Sequence, residues 1–351
     1  MNVKSLKYTA PFTIFILSFI ALTGNGWIVF TPLVYVWVLI PLIELLQKPD
    51  DSNLEATEEE IAKQDKTYDV WLYVTVALQY SALYLFLDSV KNGNNDWWEL
   101  TGKTFVMGLL CGTFGINVAH ELGHRSNRFE QFLAKSLLLT SLYMHFFIEH
   151  NKGHHKRVST PEDPASARYG ESVYAFYIRS MVFSYFSAWQ ISFRDMKKKG
   201  LPALSWRNEM LQFQFLQIVF VILVGLIFGW KAGLFFITAA FLGAMLLETV
   251  NYIEHYGLER KKKENGLYEK PLPIHSWNSN HVIGRLTLFE LSRHSDHHYI
   301  ASRKYQVLRH HDGAPQMPTG YPGMMILSLI TPAWYAVMNP RVKEIQNTKV
   351  N

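Results

Sequence analysis

Histidines in this sequence are concentrated in four short segments, and their spacing predicts metal binding. Residues three or four apart on a helix lie on one face, so each segment would direct imidazoles to one place. Neighbouring neutral imidazoles can share a divalent metal through their lone pairs. The segments are HELGHR from residue 120, EHNKGHH from 149, NYIEHYGL from 251 and RHSDHH from 293. The nine candidate ligands are His120, His124, His150, His154, His155, His255, His294, His297 and His298.

Helical spacing also predicts which histidines face each other. His120 should face His124, and His150 should face His154. The last segment should direct its three histidines to one side, whereas the histidine of NYIEHYGL has no partner within its own segment.

The number of histidines predicts how many metals are bound. A single zinc takes three or four protein ligands, and a mononuclear non-haem iron triad takes three. Nine donors therefore fit two metals with four or five ligands each. Imidazole favours iron over magnesium or calcium, which prefer oxygen, although ligand type alone leaves copper open.

The first segment alone supports a different hypothesis. It is the H-E-x-x-H pattern of zinc proteases, in which the glutamate is the general base. Seven further histidines in similar segments have no role in that mechanism. The sequence therefore favours two metals, with an intramembrane zinc metalloprotease as a distant alternative.

Carboxylates within or near the segments are candidates to orient the ligands. A metal-bound histidine commonly donates its second N–H to a carboxylate or a carbonyl. The candidates are Glu121, Glu149, Asp163, Glu254 and Asp296. Surface salt bridging is the alternative role, above all for Glu149. His275 and His281 could orient the site from outside or be structural.

Long apolar runs must position these segments. The chain is 49% hydrophobic and only 18% charged, against about 25% charged in soluble domains. The runs have the roughly 20 residues that a helix needs to cross a bilayer. We predict an all-α integral-membrane bundle of three helical hairpins, forming one domain over 1–351 with a cytoplasmic histidine-rich cap over 255–340. The six spans are predicted at 8–23, 27–46, 70–90, 103–122, 211–230 and 233–254.

Two segments lie outside this pattern. The apolar stretch at about 131–148 is predicted to be a helix that does not cross, because a crossing would put histidines before and after it on opposite faces. The acidic stretch 47–69 is predicted to be a solvated linker.

The distribution of charge predicts the orientation. With a cytoplasmic N-terminus, the outer loops contain only Lys91, Lys103 and Lys231, and nearly all other lysines and arginines lie on the inner side. This bias predicts that the N-terminus and the active site are cytoplasmic. The expected location is the bacterial inner membrane. The basic clusters are short, as membrane-surface anchors are, and no arrangement suggests nucleic-acid binding. Lys197–Lys199 and the cluster 260–263 could instead dock an acidic protein.

Together the four segments resemble those of the integral-membrane alkane 1-monooxygenases, within the membrane fatty-acid desaturase and hydroxylase superfamily. NYIEHYGL separates this family from the desaturases. The resemblance extends from the first hairpin to about residue 340, including TPEDP at 160–164, GES at 170–172, HSWNSNH at 275–281 and PTGYPG at 318–323.

The resemblance implies a six-helix membrane protein whose nine histidines hold a di-iron centre. It implies O2 as co-substrate, an alkane that arrives from the lipid bilayer, and a primary alcohol as product. Electrons would come from a rubredoxin, itself reduced by a flavin- and NAD(P)H-dependent reductase. Rubredoxin needs four cysteines and Cys111 is the only one in this sequence, so a separate donor is expected. The alternative is a hydroxylase or desaturase that acts on a fatty acyl chain or a methyl-aromatic.

Overall fold

The computed structural model describes residues 3–348, and this part of the chain is helical with no β-strand. Six of its helices are long and apolar enough to cross a membrane. They are numbered here as spans 1 to 6: Lys4–Thr23, Gly26–Leu46, Thr67–Asn92, Trp97–Gly123, Glu209–Phe228 and Trp230–His255. The predicted all-α membrane fold is confirmed.

Further helices connect the spans and follow the last of them. They are Ala56–Gln64, Arg128–Thr140, Phe146–Glu149, His155–Arg157, Val173–Lys198, Val282–Thr287, His294–Tyr299, Tyr321–Leu329 and Thr331–Thr348. Turns of 3-10 helix lie at Val3–Thr9, Gly26–Phe30, Pro273–His275 and Tyr305–Val307. Turns of π-helix lie at Tyr35–Leu39, Cys111–Ile116 and His150–His154.

The chain divides into two compact units. Unit 1 comprises Met1–Leu39, Gln64–Asn151 and Tyr185–Leu247, and unit 2 comprises Ile40–Lys63, Lys152–Ser184 and Glu248–Asn351. Unit 1 therefore contains most of the apolar length of the spans, whereas unit 2 contains most of the region predicted as a cap.

Glycines allow spans 4 and 6 to pack closely within unit 1. A Cβ on Gly243 would lie 2.5 Å from the Cβ of Cys111, and one on Gly112 would lie 2.5 Å from Leu246. Small residues permit this approach between membrane helices, where dispersion contacts replace the hydrophobic effect. Span 4, which ends at the first histidine segment, is almost entirely buried as a result.

The start of span 4 corrects the predicted position of Lys103. The backbone N–H of Asp96 donates to Glu99 Oε2 at 2.7 Å, an interaction that starts the helix at Trp97. Lys103 consequently lies inside the span instead of in an outer loop. Its buried ammonium group donates to Asn95 Oδ1 at 2.6 Å and to Ser89 Oγ at 2.8 Å.

The apolar stretch predicted as one helix at 131–148 forms two. The first helix, Arg128–Thr140, is about 20 Å long at 1.5 Å per residue, which is too short to cross a bilayer. Leu142 then adopts a left-handed conformation with φ of 48°, which interrupts the helix. A second helical stretch begins at Phe146 and carries His150, His154 and His155.

The acidic stretch 47–69 is not only a solvated linker, because part of it is buried in unit 2. Glu59 is 3% exposed and accepts a hydrogen bond from Arg309 Nε at 2.8 Å. The carbonyl of Asp50 accepts one from Arg285 at 2.6 Å. Composition predicted a polar linker, but Glu59 and the carbonyl of Asp50 form hydrogen bonds with arginines elsewhere in unit 2.

Candidate metal centre

Three of the predicted ligands meet in unit 1. Span 4 ends at Gly123, so His120 lies in its last turn and His124 immediately follows it. His124 Nε2 lies 3.1 Å from His150 Nε2, and the ring centroids of His120 and His150 are 4.4 Å apart. The ring of Phe146 stacks on the imidazole of His150, with the two ring centroids 4.7 Å apart, and limits the movement of that imidazole. We refer to His120, His124 and His150 as the trio.

Four more ligands form a buried cluster in unit 2. His154 Nε2 lies 3.2 Å from His298 Nε2. His255 Nε2 lies 3.2 Å from His294 Nε2. The four ligand nitrogens are within 4.8 Å of one another, and every one of the four residues is buried. We refer to His154, His255, His294 and His298 as the quartet.

The remaining two ligands form a pair in unit 2. His155 Nε2 lies 3.1 Å from His297 Nε2. Burial and the adjacent His154 together lower the pKa of His155 to about 3. Burial, followed by the neighbouring His294, also lowers the pKa of His298 well below its usual value. The imidazoles of His155 and His298 are therefore neutral at physiological pH, as a metal ligand must be.

The grouping corrects the facing sets that helical spacing predicts. His150 and His154 were expected to face each other, yet His150 belongs to the trio and His154 to the quartet. A π-turn runs over His150–His154, and its wider spacing directs residues four apart to different sides. In the last segment, His294 and His298 keep the i, i+4 relation, whereas His297 belongs to the pair.

Asp163 lies where the prediction of an orienting carboxylate requires. Its Oδ2 is 2.8 Å from His154 Nδ1 and accepts a hydrogen bond from Ser166 Oγ at 2.6 Å. Burial alone would raise the pKa of Asp163, but His154 and the hydrogen bonds outweigh it and lower the pKa to about 2. An ionised Asp163 holds the His154 proton on Nδ1 and leaves the Nε2 lone pair free for a metal.

Glu254 contacts the quartet directly. Its Oε2 lies 3.1 Å from His294 Nε2, and its Oε1 accepts a hydrogen bond from the Tyr321 hydroxyl at 2.9 Å. Both residues are buried. The sequence predicted Glu254 as an orienting carboxylate, but nothing in its spacing indicated Tyr321, which is 67 residues later in the chain.

The fold and the histidine clusters agree with what comparison with known proteins finds. Residues 96–327 match the fatty acid desaturase family. Alkane 1-monooxygenase 2 of Pseudomonas aeruginosa is 42% identical over 310 residues, covering 88% of this chain and 82% of that protein. The chain belongs to the alkane 1-monooxygenase family.

Other relatives show the breadth of the similarity. Alkane 1-monooxygenase of Ectopseudomonas oleovorans is 40% identical over 323 residues, which are 91% of this chain and 80% of that protein. The xylene/toluene monooxygenase hydroxylase component of Pseudomonas putida is more distant, at 27% identity over 281 residues, 79% of this chain and 74% of that protein. Membership of the family and the histidine clusters together identify a metal centre in an integral-membrane protein.

The contacts of Glu121 argue against the intramembrane zinc metalloprotease alternative. Its Oε1 accepts a hydrogen bond from Arg125 at 2.5 Å, and Arg125 also lies 3.4 Å from Asp69. The general base of an H-E-x-x-H protease must take a proton from metal-bound water. The Arg125 guanidinium engages Oε1 of Glu121 in an ion pair, so that oxygen is already occupied.

Two other predicted carboxylates have different surroundings. Asp296 accepts hydrogen bonds from Arg303, from the backbone N–H of Arg309 and from His311 Nε2. It therefore ties the turn after His294–Tyr299 together, and among the described residues its carboxylate binds none of the nine histidines. Glu149 is buried beside His150 in the chain, and its orienting role stays a prediction.

Proposed function

We propose that the protein hydroxylates the terminal methyl group of alkanes. The reaction consumes O2, two electrons and two protons, and it releases a primary alcohol and water. The similarity to proteins named alkane 1-monooxygenase, near 40% identity over most of the chain, carries this proposal. An alkane has no polar group to recognise, so the chemistry depends on metal and oxygen while the protein supplies position and a dry site.

We propose two iron ions as the metals. The quartet supplies four imidazoles to one ion. Five of the nine predicted histidines then remain for the second ion. When bound, the two irons would supply the redox chemistry that reduces O2 and oxidises the substrate C–H bond. The donor set fits, since the ligand nitrogens within each group converge and no thiolate is available.

The chain's own residues prepare these ligands. Asp163 fixes the tautomer of His154, and Ser166 fixes Asp163 in turn. Phe146 holds the ring of His150. Because both units contribute histidines, we propose that the chain functions as one oxygenase domain over 1–351.

Electrons must come from a separate protein partner. We propose a rubredoxin as this donor, reduced by a flavin- and NAD(P)H-dependent reductase. Cys111, the only cysteine, is buried and cannot form an iron–sulfur site. Lys197–Lys199 and the basic cluster at 260–263 provide positive charge that would accelerate the encounter with an acidic donor.

We further propose that the protein lies in the bacterial inner membrane with its N-terminus and histidines on the cytoplasmic side. The concentration of lysine and arginine outside the predicted outer loops supports this orientation. The apolar substrate would then enter from the bilayer.

Product analysis tests the proposed activity. The purified protein in nanodiscs, supplied with iron, rubredoxin, reductase and NADH, should convert a linear alkane to the primary alcohol. An iron-free preparation is the control. A terminal alkene would instead identify a desaturase, and turnover independent of a reductant would exclude a monooxygenase.

One alternative substrate has specific support. The xylene/toluene monooxygenase hydroxylase component is a recognisable relative, so a methyl-aromatic should be assayed beside the alkane. Hydroxylation of the aromatic methyl group at a higher kcat/KM than of the alkane would replace the proposed substrate without changing the proposed metal centre.

A further inference from the structure

Glu254 lies closer to the quartet than an orienting carboxylate needs to be. It precedes His255 in the last turn of span 6 and is 1% exposed. Its Oε2 is 3.1 Å from His294 Nε2, the same nitrogen that lies 3.2 Å from His255 Nε2. A carboxylate that orients a histidine contacts the ring nitrogen remote from the metal, as Asp163 contacts His154 Nδ1. Glu254 instead contacts the nitrogen that faces the cluster.

This distance is the one expected between two ligands of a single metal. With bonds of about 2.1 Å, two ligand atoms at right angles around a metal are about 3 Å apart. Glu254 Oε2 and His294 Nε2 have that separation in the structure. The four histidine nitrogens are the group that lies within 4.8 Å, and Glu254 Oε2 adjoins this group through His294 Nε2, where it would add a further donor.

Tyr321 determines the direction of the Glu254 carboxylate. Its hydroxyl donates to Glu254 Oε1 at 2.9 Å, and Tyr321 is fully buried. When a hydrogen bond holds one oxygen of a buried carboxylate, it also fixes the direction of the second oxygen. Here that second oxygen, Oε2, is the one beside His294 Nε2.

The backbone that carries Tyr321 is itself held in place. Tyr321 begins the helix Tyr321–Leu329, directly after Gly320. The Glu44 side chain occupies the space where a Cβ of Gly320 would lie, and Glu44 Oε1 accepts the N–H of Gly284 at 2.7 Å. A side chain at 320 would displace the Glu44 carboxylate, so glycine there lets Glu44 bind the Gly284 N–H beside the turn from which the tyrosine reaches Glu254.

We propose that Tyr321 is a positioning residue for the metal centre: its hydroxyl holds Glu254 so that Oε2 binds the metal of the quartet. The inference rests on the proposed function, because it assumes that the quartet binds a metal. It adds to that function a carboxylate ligand and the residue that directs it.

Cobalt(II) binding tests this inference without measuring turnover. The full-length protein is stripped of metal in nanodiscs and titrated with cobalt(II), whose visible absorption reports the number and kind of ligands. The variants are Tyr321→Phe and Glu254→Gln, singly and together. Tyr177→Phe is the matched control, since its hydroxyl pairs with Thr249 Oγ1 at 2.6 Å, away from the histidines.

We expect two cobalt ions per chain in the wild type, and Tyr321→Phe should weaken one of them by about tenfold or more, as loss of an outer hydrogen bond typically does. The visible spectrum of that ion should change. Glu254→Gln should change the same ion, and the double variant should add little to either single variant because both act through one ligand. Tyr177→Phe should match the wild type.

Three results separate the possible failures. A wild type that binds fewer than two cobalt ions contradicts the proposed function. Two ions with Tyr321→Phe indistinguishable from Tyr177→Phe overturns only the role of Tyr321. If Tyr321→Phe does not fold, Glu254→Gln decides alone: binding and a spectrum identical to the wild type would remove the carboxylate from the metal and the inference with it.

Discussion

The role of each side chain near the histidine clusters depends on which of its nitrogen or oxygen atoms makes the contact. All nine histidines predicted from spacing belong to clusters in the structure. Their Nε2 atoms approach one another within the trio, the pair and the quartet. Asp163 binds the opposite nitrogen of His154, whereas Glu254 approaches the Nε2 side of the quartet. Residue type predicted the ligands, but only the structure distinguishes these two carboxylates.

The contact between Asp163 and His154 leads to a prediction about metal affinity. Asp163→Asn should weaken the binding of one metal ion by roughly 10- to 100-fold, because the amide no longer fixes the His154 tautomer. Metal content by elemental mass spectrometry after dialysis against a chelator measures the effect. Asp312→Asn is the control, since that side chain is fully exposed. Equal metal retention in the two variants would refute the role of Asp163.

Burial of the pair predicts sensitivity to acid. The pKa of His155 is about 3 in the folded protein against 6.5 for a free imidazole, so unfolding favours its protonation. The corresponding stability is fully present above pH 6.5 and is lost as the pH falls below that value. The midpoint temperature of thermal unfolding of the metal-free protein should therefore decrease when the pH is lowered from 7.5 to 5. His155→Gln should make this decrease smaller. An equal fall in both proteins would contradict the argument.

The rule that relates histidine spacing to a shared helix face applies only where the segment is a regular α-helix. The rule that residues four apart share a face holds for His120 and His124 and for His294 and His298. It fails at His150–His154, where a π-turn replaces the α-helix. Such turns depend on packing around the helix, so the clustering of the histidines was predictable while their grouping was not.

Buried polar residues were the other feature that the sequence-based prediction assigned incorrectly. Hydropathy predicted six spans, but it started the fourth at residue 103 and counted Lys103 with the outer loop, whereas the span starts at Trp97. The structure buries its ammonium group against Asn95 and Ser89. Glu59 was likewise assigned to a solvated linker and is buried against Arg309. The partner of Glu59 is 250 residues away in the chain, and those of Lys103 are 8 and 14 residues away, so composition did not indicate either pairing.

Close packing of spans 4 and 6 predicts the effect of a single methyl group. Gly243→Ala would place a Cβ 2.5 Å from the Cβ of Cys111, and overpacking of this kind costs about 1–3 kcal/mol. The thermal midpoint in nanodiscs should fall by several degrees. Gly225→Ala is the matched control on span 5, because no atom lies within 4 Å of the new Cβ. An unchanged midpoint for Gly243→Ala would show that the two spans separate at little cost.

At the scale of the whole molecule, the distribution of charge predicts the orientation in the membrane. Cysteine introduced at Lys231 should react with a membrane-impermeant maleimide on intact cells. Cysteine at Lys198 should react only after the cells are opened. Cys111 is buried and should stay unlabelled in the parent protein. The reverse pattern would place the basic clusters outside and contradict a cytoplasmic active site.

In the proposed function, the nine histidines would hold the metal that supplies the chemistry for oxygen insertion at the terminal C–H bond of an alkane. The most direct test is the mass of the product formed under ¹⁸O2 from octane by the reduced, iron-loaded protein. We predict 1-octanol that carries one ¹⁸O atom. Octanol without the label, or octene in its place, would contradict the account, since oxygen would then come from water or would not be inserted at all.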